Sequence, residues 1–177
     1  METRTFTPGD VAAVEAFLDR IPKGESTFFK EDITADGVVE RWAADTTTRR
    51  TLACDDGSVV GYAAVIPGVG WSSHVGEIRL IVDPERRRSG IGHELARRAL
   101  LDALQAGMVK VVVEVVADQE AAIHLFTGLG FTPEAILSNH VRDRAGELHD
   151  LMVLAHDVED VQSVIATTGI GDELSSP

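Results

Sequence analysis

The stretch Arg87-Arg88-Ser89-Gly90-Ile91-Gly92 gathers what an anion binds: guanidinium groups, a hydroxyl and glycines that bare the main chain. At the start of a helix the first N–H groups lack internal acceptors, and the macrodipole adds partial positive charge there. Gly90 and Gly92 let the main chain approach a phosphate with no Cβ between, the arginines add charge-assisted bonds, and His93 follows directly. The spacing is neither that of a P-loop, which needs Gly-Lys-Ser/Thr, nor that of the three-glycine dinucleotide fingerprint. A second chemical group stands upstream. Glu77 opens the otherwise apolar run Glu77-Ile78-Arg79-Leu80-Ile81-Val82, where desolvation should raise a carboxyl pKa and make it a general base. Arg79, two residues on and on the same strand face, supplies the plainer reading, an ion pair. The six histidines (His74, His93, His124, His140, His149, His156) show no metal-ligand spacing, so no metal is expected.

Those groups need a strand, a turn and a helix to aim them. Residues 77–82 read as a buried strand that Asp83-Pro84 ends. Beyond the turn Ile91, Leu95, Ala96, Ala99, Leu100, Ala103 and Leu104 recur at helical spacing, and Gly107 stops the helix. Val-rich 111–116 reads as a strand and 119–129 as a short helix ending at Gly130-Phe131. Upstream come a strand at 3–6, a helix capped by Asp10, and a loop at 21–33. A short helix capped by Thr34 or Asp36 follows, then strands 51–55 and 59–66 joined at Asp56-Gly57. Strands 135–141 and 148–154 turn near Arg144-Ala145-Gly146. Strands flanking a crossover helix run parallel and hairpins antiparallel. The expected class is therefore α/β, a mixed sheet of about six to seven strands with helices on both faces.

With these elements in order, Ile78-Arg79-Leu80-Ile81-Val82-Asp83-Pro84 through Gly92-His93-Glu94-Leu95 closely resembles the acyl-CoA-binding motif of the GNAT superfamily of N-acetyltransferases. Ala122-Ile123-His124-Leu125-Phe126 with Gly130-Phe131 resembles that family's Ala-x-x-Leu-Tyr-x-x-x-Gly-Phe segment. The resemblance spans residues 59–154 and is nearest to bacterial protein-lysine and amine acetyltransferases. It implies a sheet splayed at its centre and acetyl-CoA as co-substrate. Leu80, Ile81 and Val82 would run along the pantetheine arm, with Leu80 and Val82 pairing its amides. Arg87, Arg88, Ser89, Gly90, Ile91, Gly92 and His93 would surround the pyrophosphate, and Gln119 and Phe126 would lie beside the cofactor. Glu77 falls where several members carry their catalytic glutamate. Two departures bear on chemistry: Phe126 replaces the usual tyrosine and Gln119 the accompanying asparagine. The acid for the departing thiolate is thereby lost, leaving solvent or the ammonium product, since His124 points elsewhere on its helix. The resemblance builds the acceptor site from the first inter-helix loop and the last hairpin, here Phe28, Phe29, Glu31 and His140. Phe28 and Phe29 read equally as loop anchors, and Trp42 and Trp71 as core or loop anchors.

With 177 residues, 44% of them hydrophobic, one domain over 1–156 is expected, followed by an acidic tail at 157–177. The net charge of −13 disfavours nucleic acid and suits cationic acceptors, though it equally serves solubility. No apolar run reaches the ~20 residues that span a bilayer, and the first residues lack a secretory core. Lone Cys54 fits core filling in a reducing compartment, hence the cytoplasm. The expectation is an acetyl-CoA-dependent N-acetyltransferase acting by direct transfer on a primary amine, either a small cation or a lysine-bearing protein. The alternative is a catalytically weak CoA-binding regulatory module; a homodimer is left open.

Overall fold

The computed structural model of the protein describes residues 1–25 and 29–158. Seven strands form one sheet in the order β1-β2-β3-β4-β5-β7-β6. They are β1 (Glu2–Thr5), β2 (Arg49–Asp55), β3 (Ser58–Pro67), β4 (Val75–Val82), β5 (Lys110–Val116), β6 (Thr132–Arg142) and β7 (Leu148–Asp157). Val158, just past β7, is buried in the core. Helices α1 (Val11–Leu18) and α2 (Val38–Ala44) cover one face, α3 (Ile91–Gln105) and α4 (Glu120–Gly128) the other. The expected hairpin forms at Asp56-Gly57, both residues at positive φ, the geometry that matches strand twist.

Two caps differ from expectation. Asp10 does not cap α1. Its carboxylate instead accepts bonds from Arg4 at 2.6 and 2.8 Å and from the Thr7 N–H at 2.8 Å. The ion pair with Arg4 and the bonds from Thr7 hold that carboxyl well below the usual carboxylate range. Neither Thr34 nor Asp36 caps α2; Gly37 occupies that position, because Thr34 is turned onto Asp32, at 2.6 Å through its hydroxyl.

What matters for the site is the middle of the sheet. α3 is the crossover between the parallel strands β4 and β5. These strands pair only at Val75↔Lys110, Gly76↔Val111 and Glu77↔Val112. Beyond Glu77 they part, while β4 stays bonded to β3 and β5 to β7 along their outer edges. Residues 78–82 and 113–116 thus each present one unpaired main-chain edge to a common seam. The seam is held open by packing on both sides. Leu95, Ala96, Leu100 and Ala103 of α3 are fully buried against the sheet, and a fully buried leucine contributes about 1.5–3 kcal/mol. α3 reaches that depth because position 61 is glycine. A Cβ there would stand 2.7 Å from Leu95 Cδ1 and 3.0 Å from Ile91 Cγ2. Among the described residues no helix is long and apolar enough to cross a membrane.

Candidate active site

The anion cradle is fixed from below. The buried Asp83 carboxylate accepts from the Glu85 N–H at 3.0 Å and from Arg20 Nε at 2.8 Å. This secures a single 3-10 turn, Pro84–Arg86, at the end of β4. Arg87 is extended, Arg88 lies at φ 60°, and Gly90 at φ 86° turns the chain into α3. Among the described residues, the main-chain N–H groups of 87–93 meet no protein acceptor. They form a row of donors at the mouth of the seam, as a pyrophosphate requires. Open space surrounds the position of a Gly90 Cβ. Arg87 is paired with Glu25 and Arg86 with Asp55, which braces the loop.

Below the cradle a cleft of about 1300 Å³ follows the seam. Leu80, Ile81, Val82, Arg87, Arg88, Gly90, Gly92, His93, Gln119 and Phe126 all line it. Two predicted cofactor residues do not. Ile91 is buried in the core, leaving only its N–H to the site, and Ser89 is exposed with its hydroxyl turned onto the Arg86 carbonyl. Phe126 is 3% exposed and packs edge-on against Phe131 at 5.2 Å, so its ring is both core and cleft wall. Gln119 begins α4, its carbonyl accepting from the Ala122 and Ile123 N–H groups. His124 is exposed and outside the lining.

Glu77 sits at the last paired position of β4, where the seam opens. Arg79 Nε donates to its Oε1 at 2.9 Å and Lys30 Nζ to its Oε2 at 3.0 Å. The same ammonium reaches Glu114 Oε1 on β5 at 2.9 Å, so Lys30 bridges the two strands across the seam. Burial pushes the Glu77 carboxyl up, but the bonds from Arg79 and Lys30 outweigh it and hold the pKa below its ordinary value. This corrects the expectation of a raised pKa; the ion pair with Arg79 forms, and a second cation joins it. Burial opposes the charge on Lys30, yet Glu114 and Glu77 together raise its pKa.

The rest of this end of the cleft is built around those groups. Of the residues expected at the acceptor site, Phe29, Glu31 and His140 line the cleft; Phe28 lies outside the described residues. Glu31 is already engaged, accepting from Trp42 Nε1 at 3.0 Å and lying 3.6 Å from Arg79. Trp42 is a core anchor, stacked on Tyr62 at 4.7 Å, whereas Trp71 is 96% exposed and anchors nothing. Tyr62 is the sole tyrosine. It takes a 3.1 Å bond from Arg50, and burial pushes its phenol up to about 12. Glu114 and Tyr62 were absent from the site read off the sequence; Arg79 was read only as an ion-pair partner of Glu77, and Lys30 only as part of the acceptor loop. Glu114 carried a visible signal, an acid inside the apolar run 111–116, the same signal that marked Glu77. Lys30 itself carried none: the resemblance placed its loop at the acceptor site, but only the fold sets its ammonium between Glu77 and Glu114.

The sequence profile of the Acetyltransferase (GNAT) family matches residues 15–131. A mycothiol acetyltransferase of Kocuria rhizophila is 38% identical over 80 residues, 44% of this chain and 26% of that protein. One of Amycolatopsis mediterranei is 30% identical over 139 residues, 73% of this chain and 45% of that protein. The chain thus spans less than half the length of these curated relatives. In fold it matches the structure of yncA, a putative acetyltransferase from Salmonella typhimurium with its cofactor acetyl-CoA. The TM-score is 0.78 at 20% identity, over 90% of this chain and 95% of that one. The splayed seam, the donor row at its mouth and the match over most of the chain agree: this chain belongs to the GNAT family of acetyltransferases.

Proposed function

We propose that this chain transfers the acetyl group of acetyl-CoA directly to a primary amine, with Glu77 taking the ammonium proton. One observation carries the reading: where β4 and β5 begin to part, Glu77 already holds an alkylammonium, that of Lys30, at 3.0 Å. An acceptor's ammonium meets the same carboxylate by the same bond. The donor row of 87–93 and the unpaired edges of 78–82 and 113–116 suit the pyrophosphate and amides of the co-substrate. Bound there, acetyl-CoA supplies a thioester as the acetyl source.

The rest is the work of side chains. A carboxylate of lowered pKa is ionised throughout the neutral range, so Glu77 is ready to accept. It takes a proton from an ammonium only uphill, so that transfer is drawn forward by the amine's reaction. Arg79 keeps Oε1 occupied and leaves Oε2 as the accepting oxygen. Phe126 has no proton to give, and the departing thiolate takes one from solvent or from the amine nitrogen, a tolerable arrangement because a thiol titrates near pH ~8.5. A lysine side chain of a protein is the acceptor that most resembles the bound Lys30, and a small cationic amine is the next.

Thiol release from acetyl-CoA, measured against amines, polyamines and lysine peptides, tests this. Turnover that collapses in Glu77→Gln supports the enzyme and its base together. The missing hydroxyl at Phe126 favours a second reading, a CoA-binding regulatory module. It prevails if no amine elicits release while acetyl-CoA still raises the melting temperature.

A further inference from the structure

Lys30 does more than brace the seam. Its amine stands where an acceptor's amine has to stand, 3.0 Å from Glu77 Oε2 and 2.9 Å from Glu114 Oε1, in the cleft lined by Leu80, Gly92 and Arg88. The side chain is 47% exposed, so ion pairs hold it, not burial, and ion pairs at such exposure exchange readily with solvent and with other charges. The chain has two other lysines, Lys23 and Lys110. Neither lines the cleft, and Lys110 is paired with Glu134 on β6. One lysine of three therefore reaches both the open seam and a carboxylate able to take its proton.

We propose that Lys30 is a self-acetylation site, the first acceptor that acetyl-CoA meets on this chain. The proposal rests on the acetyltransferase reading above. The Lys30 ammonium gives one proton to Glu77. Its nitrogen then bonds to the acetyl carbonyl carbon, the carbon–sulfur bond breaks, and the electron pair leaves with sulfur. The thiolate takes the second nitrogen proton, and Glu77 returns the first to solvent. The products are N-acetyl-Lys30, free CoA thiol and one proton; no oxidant or further reactant is needed. The amide carries no charge, so Glu77 and Glu114 lose their shared cation and stand open to an external ammonium. Acetylation of Lys30 thereby converts the acceptor end from occupied to open.

The test is peptide mass spectrometry of the full chain incubated with acetyl-CoA and no added amine. Acetyl should accumulate on Lys30 toward one group per chain, with Lys23 and Lys110 bare. The rate should be first-order and unchanged on diluting the protein. It should vanish in Lys30→Arg, which keeps the charge, and in Glu77→Gln, whose fold is checked by the rise in melting temperature with acetyl-CoA. Equal labelling of all three lysines, equal labelling in Glu77→Gln, or a rate that grows with protein concentration overturns the proposal. The same preparation is offered the amine panel. Thiol release with external amines while Lys30 stays bare overturns self-acetylation alone, whereas no release with any amine and a bare Lys30 removes both readings.

Discussion

At the donor end of the cleft the main-chain N–H groups of 87–93 meet no protein acceptor among the described residues. At the acceptor end, Glu77, Glu114 and Glu31 are all engaged by Lys30, Arg79 and Trp42. A ligand at the donor end therefore adds bonds to groups that had only water. One at the acceptor end of the unacetylated chain exchanges bonds, displacing an internal ammonium before its own can bind. Exchange returns less net free energy than addition. The comparison teaches that affinity should reside with the co-substrate and discrimination with the acceptor, because only a cation able to replace Lys30 gains by entering.

The largest expected effect separates the two ends outright. Glu77→Gln removes the proposed proton acceptor and leaves the 87–93 row intact. It should lower kcat by about a hundredfold with little change in KM for acetyl-CoA. If KM for acetyl-CoA rises instead, Glu77 serves the donor end and the division fails. Next comes Gly90→Val. At φ 86° a branched residue costs roughly 1–2 kcal/mol and the turn relaxes away from its donors. Acetyl-CoA affinity should fall about tenfold, with a lower melting temperature and an unchanged KM for the amine.

The donor end was legible residue by residue and the acceptor end only in part, for a physical reason. The cradle is local in sequence: strand, turn and helix follow one another from Glu77 to Gln105, so glycine placement and apolar periodicity spell it out. Even its weak points are local, since Ile91 is core simply because it lies on the buried stripe of α3. The sheet was legible for the same reason, hairpin by hairpin. The acceptor end is assembled from β3, β4, β5, β6, α2 and the 29–33 loop, and its charges find one another only across the seam. Sequence showed that Glu77 and Arg79 share a strand face. It could not show that Lys30, 47 residues before Glu77, would add a second cation, so that Arg79 and Lys30 together hold the pKa below its ordinary value. Asp10 and Thr34 failed as caps likewise, each having a better partner than the helix it precedes.

Smaller effects probe the exchange itself. Glu114→Gln leaves the ammonium one charged partner and should raise the amine's KM about three- to tenfold, leaving kcat and acetyl-CoA binding nearly unchanged. Lys30→Ala acts on pH dependence. As the proposed base, Glu77 accepts a proton only when ionised, so kcat/KM should fall as pH drops through its pKa, which Arg79 and Lys30 together depress. Removing Lys30 leaves burial less opposed, the pKa rises, and the acid limb should move to higher pH. A limb that stays in place would mean that Arg79 alone sets Glu77, and that the acceptor end is less coupled than its bonds indicate.

The smallest effect expected is that of Phe126→Tyr, and it asks whether the donor end is complete as built. The ring is 3% exposed and packs on Phe131 at 5.2 Å, but it also lines the cleft. A hydroxyl pointing into the cleft stays hydrated, whereas one turned into the core would cost about 1–3 kcal/mol as an unpaired polar group. An unchanged melting temperature therefore reports that the hydroxyl faces the seam. With that established, thiol release should rise less than about threefold, because a thiolate with a pKa near ~8.5 leaves without much help from an acid at neutral pH. The pH profile sharpens the outcome. An acid that matters gains most at high pH, where solvent protonates sulfur least readily, so a rise confined to the alkaline side would locate the new proton donor at the departing sulfur. A tenfold rise at neutral pH would instead mean that proton delivery limits the present enzyme, and that the donor end binds its ligand fully yet handles its chemistry only in part.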